Sequence, residues 1–470
     1  MKPFKHQLKS LKHNDTTPIV FDCSDPGTGK TAVRIWAMVK RITKRQVKKV
    51  LVVAPKTLLV SVWADEFKKL APTLKLSVAE AKNREQAFSK DAQVYITNTD
   101  AVKWLVKQPK GFWKGFDELV VDESDAFKHH TSQRSKALAK IAKNFKFITL
   151  MTGTPNSNSI TDVWHQALIL DRGQRLGPSF YAFRNAVCVP VQNGPSANHI
   201  KWEDKEGAEE AVFGLLNDIV IRHKLEECTD IPPNHEYVRP YVLSPALRKA
   251  YDEMQETCLL QIYGTPLERA KAMVSGRKLA PKTTVTAVHA SAMATKLMQI
   301  ASGAIYEGNG EDGYHVLDAD RYEFIADLVH ERKHSVVFFL WKHQRDLLAE
   351  EFEKRGYTYS IIDGDVKATD RAGIVKAYQA GRFKTILLHP QSAAHGLTLT
   401  RGTAAIWASP TSNAAFFNQG SRRVYRISQT QRTETISVVA QDTYEERVYN
   451  EILVPKNKRM ASLLELFTTV

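Results

Sequence analysis

The sequence predicts an α/β protein with two parallel-sheet lobes in tandem and helical insertions at their junction. Three observations predict this fold class. Short apolar runs alternate with charged, helix-like stretches over the first 150 residues, the same alternation resumes from His334, and the segment between them is mostly helical in pattern. Because short strands that alternate with longer helices form parallel sheets covered by helices, each alternating region is expected to be one lobe.

The first lobe is predicted over residues 1–230. Its buried strands are the apolar runs at Ile19–Phe21, Val50–Ala54, Gln93–Thr97, Leu119–Val121 and Phe147–Leu150. Over residues 157–230 the pattern becomes helical and looser, with the loops RGQRLGPS and VQNGPSAN, so a helical insertion is predicted there. The segment TDIPPNHE then breaks the chain near Pro232 and Pro233.

The second lobe is predicted over residues 231–470. A helical insertion covers about residues 245–300, around the basic loop SGRKLAPKTT. Two buried-strand runs follow, HSVVFFLW at His334–Trp341 and KTILLH at Lys384–His389, and a further strand is predicted in TAAIWAS. The amphipathic segment RDLLAEEFEKRG lies between the first two runs and is predicted to be a helix that ends at Gly356.

A glycine-rich joint between the first strand and the next helix predicts a site for phosphate groups. In SDPGTGKT, Gly27, Thr28 and Gly29 form a tight turn whose backbone N–H groups converge on one point beside a positive helix end. Lys30 is then expected to reach the β and γ phosphates of a nucleotide, and the Thr31 hydroxyl to bind magnesium. The motif alone indicates a nucleotide and not what the nucleotide is used for.

Two carboxylates follow the strand ELVV. Asp122 is expected at the end of a parallel strand beside the phosphate loop, where a bound magnesium ion needs a ligand, and Glu123 can polarise the attacking water. The next strand leads into TGTP, where Thr152, Gly153 and Thr154 form a polar strand exit. Acidic and polar turns are common one by one, so the functional interpretation depends on their combination with the phosphate loop.

Arginines in NQGSRRVYRISQ are candidates for a catalytic role in the second lobe. Arg423 and Arg426 are three residues apart, so on a helix they would share a face and both could reach a γ-phosphate held by the other lobe. An arginine supplied across an interface stabilises the charge of the transition state for phosphoryl transfer. The alternative interpretation is a solvated basic helix.

The charge balance favours a polyanionic partner. The chain has 66 lysines and arginines against 51 aspartates and glutamates, a formal net charge of +15 at pH 7. No run of 18 apolar residues occurs and the N-terminal segment lacks an apolar signal core, so we expect no membrane association and a cytoplasmic location. The four cysteines lie far apart without a C-x-x-C pair, so neither a zinc site nor a disulfide framework is predicted.

The order of these motifs resembles that of superfamily-two helicases, and specifically the Swi/Snf family of double-stranded DNA translocases. The resemblance runs nearly end to end. In the first half it rests on FKHQ, DPGTGKT, VLVVAPKTLLVSVWADEFKK, VVDESDAFKHHTSQRSKAL and LMTGTPNSNSITDVWHQ; in the second half it rests on IRHKLEECTDIPPNHE, YVLSPALRKAYDEM, HPQSAAHGLTLTRGTAAIW and QGSRRVYRISQTQRTETISVVAQDTYEERV. It implies RecA-like lobes, the use of ATP with magnesium, and double-stranded DNA bound without sequence specificity.

The resemblance also implies roles for single residues. Gln7 matches the adenine-reading glutamine motif, and Thr152, Gly153 and Thr154 are implied to couple hydrolysis to movement. Contacts to DNA phosphates are implied for polar groups that follow strands, and such contacts fix position without reading sequence. These groups are Thr57, Thr99, Ser392 and Thr398.

The sequence departs from the family pattern in several places. Asp125 replaces the usual histidine of the D-E-x-H box, and we expect it to alter how ATP hydrolysis is coupled to the other lobe. Further departures are found at Ala393, Ala394, Thr398, Arg422 and Tyr425. The phosphate, carboxylate and arginine positions are all retained, so an active ATPase is expected.

We therefore expect a DNA-stimulated ATPase that translocates along double-stranded DNA, hydrolyses ATP between its lobes and remodels DNA or protein–DNA complexes. Two alternatives stay open: a strand-separating or branch-remodelling DNA helicase, and a nucleic-acid-binding scaffold without ATPase activity. We expect a monomer, and whether another protein recruits it to DNA stays open. A compact motor without recognisable accessory domains indicates a bacterial, archaeal or viral source, and a virus-encoded protein would act in the host cytoplasm.

Overall fold

The computed structural model describes residues 2–155, 159–192, 200–228, 230–262, 283–286, 290–307, 313–393 and 396–465. The chain divides into two compact units, Met1–Ile231 together with Lys456–Val470, and Pro232–Pro455. This division falls one residue beyond the predicted limit at residue 230, and the C-terminal segment from Lys456 groups with the first unit.

The first unit is built on a parallel sheet. Its strands are β1 (Ile19–Asp22), β2 (Lys49–Ala54), β3 (Leu76–Ala79), β4 (Val94–Asn98), β5 (Phe116–Asp122), β6 (Phe147–Met151), β7 (Cys188–Gln192), β8 (Ile200–Asp204) and β9 (Val220–Ile221). Strands β7 and β8 form a separate antiparallel hairpin. The others form a seven-stranded sheet in the order β3-β4-β2-β5-β6-β1-β9, and every pairing in it is parallel.

Helices cover both faces of this sheet. They are α1 (Lys5–Thr16), α2 (Lys30–Thr43), α3 (Asp65–Leu70), α4 (Arg84–Ser89), α5 (Val102–Leu105), α6 (Gln133–Ala142), α7 (Thr161–Asp171), α8 (Phe180–Val187), α9 (Ala208–Leu216) and α10 (Leu225–Cys228). Along β5, Leu119 and Val121 pack in one apolar cluster with α5, α6 and α7, whereas Val120 packs in another with α2 and α3. Burial on both faces explains why the strands are near-continuous apolar runs rather than alternating ones.

The second unit is also built on a parallel sheet. Its strands are β10 (Asn234–Tyr241), β11 (Leu259–Ile262), β12 (Thr283–Thr286), β13 (Ala304–Tyr306), β14 (Tyr314–Val316), β15 (Ser335–Phe338), β16 (Tyr359–Ile362), β17 (Thr385–Leu388), β18 (Ala404–Trp407) and β19 (Thr433–Ala440). Six of them form a sheet in the order β10-β19-β18-β15-β17-β16, with parallel pairings throughout. The two parallel sheets confirm the predicted α/β class.

The helices of the second half of the chain follow the predicted alternation. They are α11 (Pro245–Thr257), α12 (Ala290–Ala301), α13 (Asp320–His330), α14 (Lys342–Lys354), α15 (Ala368–Gln379), α16 (Pro390–Ala393), α17 (Ala414–Ser421), α18 (Tyr444–Arg447) and α19 (Val454–Glu465). Helix α14 is the amphipathic segment predicted to end at Gly356, and it ends two residues earlier, at Lys354.

The two predicted helical insertions contain strands as well as helices. Within residues 157–230, β7 pairs with β8 and β9 joins the main sheet beside β1. Within residues 245–300, β11 pairs with β12, and the basic loop SGRKLAPKTT lies mostly outside the described residues. The alternating valines of β7, Val189 and Val191, are half-exposed, and so short a period-two pattern between Gly- and Pro-rich loops is easily missed.

None of the helices in the described ranges is long and apolar enough to cross a membrane. Within the same ranges, no group of three or more His, Cys, Asp or Glu side chains is arranged to hold a metal ion. The four cysteines, Cys23, Cys188, Cys228 and Cys258, are free thiols.

Candidate active site

One edge of the first sheet gathers most of the predicted site residues of that unit. Neighbouring parallel strands β4, β2, β5, β6 and β1 all end there, and each is followed by a predicted site segment. Strand β1 leads into the phosphate loop, β5 ends at Asp122, and β6 leads into Thr152. Ligands of open parallel sheets bind outside the carboxyl ends of the strands, so this edge is the candidate active site.

The phosphate loop has the backbone that its glycines allow. Gly27 and Gly29 adopt positive φ angles of 94° and 82°, a left-handed conformation that costs glycine little. Helix α2 begins immediately afterwards at Lys30, with Gly29 as its N-cap. The first N–H groups of α2 have no partner within the helix and lie beside the loop, as a phosphate cradle requires.

Helix α1 contacts the phosphate loop through Gln7. The Gln7 side-chain Nε2 donates to the Thr28 carbonyl at 3.3 Å, and its Oε1 accepts from the Phe4 N–H at 3.0 Å. A Cβ added at Gly29 would overlap the Gln7 amide. The predicted adenine-reading glutamine is therefore buried against the loop, with both ends of its amide bonded.

Lys30 is bonded to its own loop. The ammonium Nζ donates to the Ser24 carbonyl at 2.5 Å and to the Asp25 carbonyl at 3.1 Å. These acceptors are neutral, and an anionic phosphate oxygen is a stronger acceptor for a charged donor. The side chain can therefore exchange its carbonyl partners for a phosphate without leaving the loop.

Asp122 and Glu123 end β5 with different environments. Asp122 is only 8% exposed; its Oδ2 accepts from the Trp63 indole N–H at 3.0 Å and its Oδ1 from the Glu123 N–H at 3.1 Å. Burial raises the pKa of the Asp122 carboxyl, while the Trp63 hydrogen bond and the Lys30 charge oppose that rise. Glu123 is partly exposed, with φ of 52° and ψ of 57°. A glutamate in this left-handed conformation is strained, and strain of this kind clusters at functional sites.

The segment Thr152–Thr154 packs on the phosphate loop. The Thr152 N–H donates to the Asp22 carbonyl at 3.0 Å, and the Thr154 N–H donates to the Thr152 hydroxyl at 3.0 Å. A Cβ added at Gly153 would lie 2.9 Å from Cδ and Cγ of Pro26. Glycine is therefore required at this position for close contact between the predicted coupling segment and the loop.

An ion pair that sequence reasoning missed holds the other side of the loop. Arg222 Nη1 contacts Asp25 Oδ1 at 2.6 Å, and the Leu225 N–H donates to Asp25 Oδ2 at 3.0 Å. The Asp25 N–H donates in turn to the His223 carbonyl at 3.0 Å. The only available signal was the resemblance of IRHKLEECTDIPPNHE to a family segment, which named no partner for it.

Asp125, the residue in place of the usual histidine, has a pKa raised to about 6 by burial, with Lys128 opposing the rise. The pKa of an aspartate in the unfolded chain is about 3.9. A carboxyl whose pKa in the folded protein is higher than this stabilises the fold most at pH values below about 3.9. This contribution is lost as the pH rises to about 6 and stays lost above it.

We therefore expect Asp125→Asn to be more stable than wild type at pH 8. Its free energy of unfolding should be higher by up to about 3 kcal/mol. The difference should shrink as the pH falls from about 6 to about 4. Chemical denaturation of both proteins across this range measures it. A difference that does not change with pH would show that Asp125 does not titrate in this window.

The second unit places Arg423 and Arg426 off the helix. Helix α17 ends at Ser421, so both arginines lie in the turns that follow, and the predicted shared helix face is wrong. Gly420 lies in the last turn of α17, where an added Cβ would lie 2.9 Å from the Trp407 ring, so glycine is required there for close packing. Arg426 Nη1 donates to the Leu397 carbonyl and to the Thr398 hydroxyl, both at 3.0 Å. Burial lowers the pKa of Arg426.

The four predicted DNA contacts differ in accessibility. The Thr57 hydroxyl is shielded from solvent and has no hydrogen-bond partner among the described residues. Thr99 begins a single 3₁₀ turn after β4, and Ser392 is buried in α16. Thr398 accepts the bond from Arg426 and is partly exposed. The structure thus joins two predicted site residues of the second unit, while the DNA contacts stay predictions.

Comparisons with known families match nearly the whole chain. The SNF2-related domain matches residues 8–313, and the helicase conserved C-terminal domain matches residues 320–428. Putative protein p41 of Acyrthosiphon pisum secondary endosymbiont phage 1 is 28% identical over 392 residues, which cover 80% of this chain and 78% of that protein. An uncharacterized ATP-dependent helicase of Mycoplasma pneumoniae is 24% identical over 459 residues, which cover 94% of this chain but only 40% of that protein.

Among solved structures, Dbp5 of S. cerevisiae bound to RNA and ADP BeF3 is similar over 100% of this chain and 89% of its own, with 13% identity and a TM-score of 0.52. A Sulfolobus solfataricus SWI2/SNF2 ATPase core in complex with dsDNA covers 98% of this chain and 93% of its own, with 18% identity and a TM-score of 0.44. At 13% identity, the likeness to Dbp5 concerns the fold alone.

Proposed function

Because the chain belongs to the SNF2-related family, whose members include ATP-dependent helicases, we propose that it hydrolyses ATP to translocate along double-stranded DNA. In doing so it would remodel DNA or protein–DNA complexes. The observation that carries this proposal is the convergence of Lys30, Asp122 and Glu123 at one sheet edge, with Glu123 in a strained backbone conformation. The domain limits that accompany the proposal are 1–230 and 231–470.

The site residues would divide the work of ATP hydrolysis among them. The N–H groups of Gly27, Gly29 and the first turn of α2 bind phosphate oxygens, and Lys30 exchanges its loop carbonyls for them. Glu123 accepts a proton from the attacking water. In this proposal Gln7 contacts the adenine while its amide also holds the loop.

Magnesium would be held by Thr31 and Asp122. The donor set fits, because a hydroxyl and a carboxylate are hard oxygen ligands. A carboxylate whose pKa is raised by burial also gains from a nearby cation. When bound, the ion neutralises phosphate charge.

Binding to duplex DNA would be dominated by phosphate contacts. The net charge of +15 supports this, and so does a basic cleft of about 560 Å³ on the first unit. Its cations are Lys136, Lys140, Lys143 and Arg172, all exposed and without an ion pair among the described residues. The three lysines follow one face of α6 and its end over about 10 Å, a distance that spans roughly three phosphates of one DNA strand.

Replacing Lys140 and Lys143 together with alanine should weaken DNA binding and flatten its salt dependence. Each neutralised phosphate contributes about 0.9 to the slope of log affinity against log salt, so the slope should fall by roughly 1.8. Fluorescence anisotropy with scrambled duplexes at several salt concentrations measures it. Lys82→Ala/Lys90→Ala removes two exposed lysines elsewhere in the same unit and should change the slope less. Equal slopes for the two double variants would assign the effect to net charge alone.

The rival activity is separation of DNA strands. A duplex carrying a third strand distinguishes the two, because a duplex translocase displaces the third strand and leaves the duplex intact. Displacement of the third strand with ATP, and none without it, is expected. Release of single strands from a plain duplex would instead favour the strand-separating helicase.

A further inference from the structure

A buried glutamine joins two segments of the candidate active site. Gln166 of α7 is fully buried, with an exposed fraction of 0%. Its Oε1 accepts from the Ser124 hydroxyl at 2.7 Å, and its Nε2 donates to the Pro155 carbonyl at 2.8 Å. A third bond runs from Nε2 to the Asp162 carbonyl of the same helix at 3.2 Å. One side-chain amide therefore connects the end of β5 to the end of the Thr152–Thr154 segment.

The bond between Ser124 and Gln166 restrains the backbone next to Glu123. A left-handed glutamate persists only where its surroundings hold it. On one side the Glu123 N–H is held by Asp122 Oδ1 at 3.1 Å. On the other side Ser124, the next residue, is tied to Gln166. The Gln166 bond is thus an anchor for the strained backbone at the carboxylate that is proposed to activate water.

The Pro155 end of the connection leads to the phosphate loop. Pro155 follows Thr154 directly, and Gly153 of the same segment packs on Pro26 of the loop. Movement of the loop when phosphate binds would therefore reach Pro155 through packed backbone, and reach Ser124 through the Gln166 amide.

Asp125 does not make this connection. Within the described part of the chain, its carboxylate has no hydrogen bond to Thr152, Gly153 or Thr154. The Thr154 hydroxyl is buried, and no described residue is its hydrogen-bond partner. The side-chain link between the two segments is made by Gln166.

We propose that Gln166 is a positioning residue that holds Glu123 in its working conformation and ties it to the segment contacting the phosphate loop. The proposal rests on the proposed role of Glu123 in ATP hydrolysis. A buried glutamine that only completes the hydrogen bonds of the core would instead affect stability and leave the catalytic rate unchanged.

Three variants separate these roles. Ser124→Ala breaks the bond to Oε1, Gln166→Leu breaks both connections, and Gln166→Glu keeps an acceptor for Ser124 but loses the donor to Pro155. We expect kcat for ATP to fall about tenfold in Ser124→Ala and Gln166→Leu, with KM for ATP within about twofold of wild type. The double variant should be no slower than Gln166→Leu, because both changes break one linkage.

A pH profile gives a readout that a purely structural role would not move. A protonated glutamate can donate to the Pro155 carbonyl and an ionised one cannot. The kcat of Gln166→Glu relative to wild type should therefore rise as the pH is lowered.

Ser77→Ala is the matched control for Ser124→Ala, because Ser77 is a buried serine of the same unit whose hydroxyl donates to the Ala87 carbonyl at 2.7 Å. Its kcat should stay at the wild-type value.

Wild-type kcat in folded Ser124→Ala would overturn the proposal, and so would an equal loss in Ser77→Ala. If Gln166→Leu does not fold, Ser124→Ala and the pH profile of Gln166→Glu decide the question. The failure of the proposed function looks different. It would be seen as undiminished ATP turnover in Glu123→Gln. If Glu123→Gln loses turnover but the Ser124 and Gln166 variants keep wild-type rates, only the positioning role is overturned.

Discussion

Replacing Glu123 with glutamine should stop ATP turnover while leaving ATP affinity within a few-fold of wild type. Glutamine keeps the size of the side chain and its left-handed backbone, but it cannot accept a proton from water. Loss of a general base lowers kcat by about a hundred- to ten-thousandfold. Binding should survive, because the phosphate contacts are assigned to the loop and to Lys30. Turnover assays and binding of a fluorescent ATP analogue measure the two quantities.

Lys30→Ala is the counterpart of this experiment and should lose ATP binding as well. It also removes two charged hydrogen bonds to the Ser24 and Asp25 carbonyls, so stability should fall by about 1–3 kcal/mol. Weak ATP binding by Glu123→Gln, equal to that of Lys30→Ala, would contradict the separate roles given to these residues. Full turnover in Glu123→Gln would remove Glu123 from the mechanism.

Arg426→Ala should cut DNA-stimulated ATP turnover by roughly a thousandfold, the effect of a full arginine finger, and leave ATP affinity nearly unchanged. The physical reason is that a guanidinium that acts on the γ-phosphate stabilises the transition state more than the ground state. Turnover at saturating ATP and saturating DNA measures the effect. Arg423→Ala should behave alike if both arginines act on the phosphate.

The structure supplies the control for this prediction. Arg426 also holds the Leu397 carbonyl and the Thr398 hydroxyl, so the alanine variant could act by loosening that loop. Thr398→Val removes the hydroxyl contact and keeps the guanidinium. At saturating DNA, where the loss of one predicted phosphate contact no longer limits binding, its turnover should stay within a few-fold of wild type. Equal losses in Thr398→Val and Arg426→Ala would identify Arg426 as a loop anchor and contradict the catalytic role.

The parallel sheets could be predicted because burial on both faces leaves a local signal. Strand β5 illustrates it: Leu119, Val120 and Val121 pack in clusters on opposite faces, so the whole run must be apolar. The end of α17 could not be predicted in the same way. The three-residue spacing of Arg423 and Arg426 suits a helix, and the segment SRRVYR contains neither glycine nor proline to mark where α17 ends.

The candidate site was predicted where chemistry follows from adjacent residues and missed where it depends on distant ones. The phosphate loop and the Asp122–Glu123 pair are local patterns at strand ends. By contrast, Asp25 and its partner Arg222 are separated by 197 residues, and Gln166 lies 42 residues from Ser124. The sequence around each of these residues does not identify its partner, so only the fold reveals the two pairs.

The rate of ATP hydrolysis with different nucleic acids tests the account most directly. The wild-type protein would be assayed at saturating ATP with duplex DNA, single-stranded DNA, RNA or no nucleic acid, each at equal phosphate concentration. We expect duplex DNA to raise the rate several-fold and the others to raise it little, with Glu123→Gln inactive in every case. Equal rates with and without duplex DNA, or stimulation by RNA alone, would contradict the proposal of a double-stranded DNA motor.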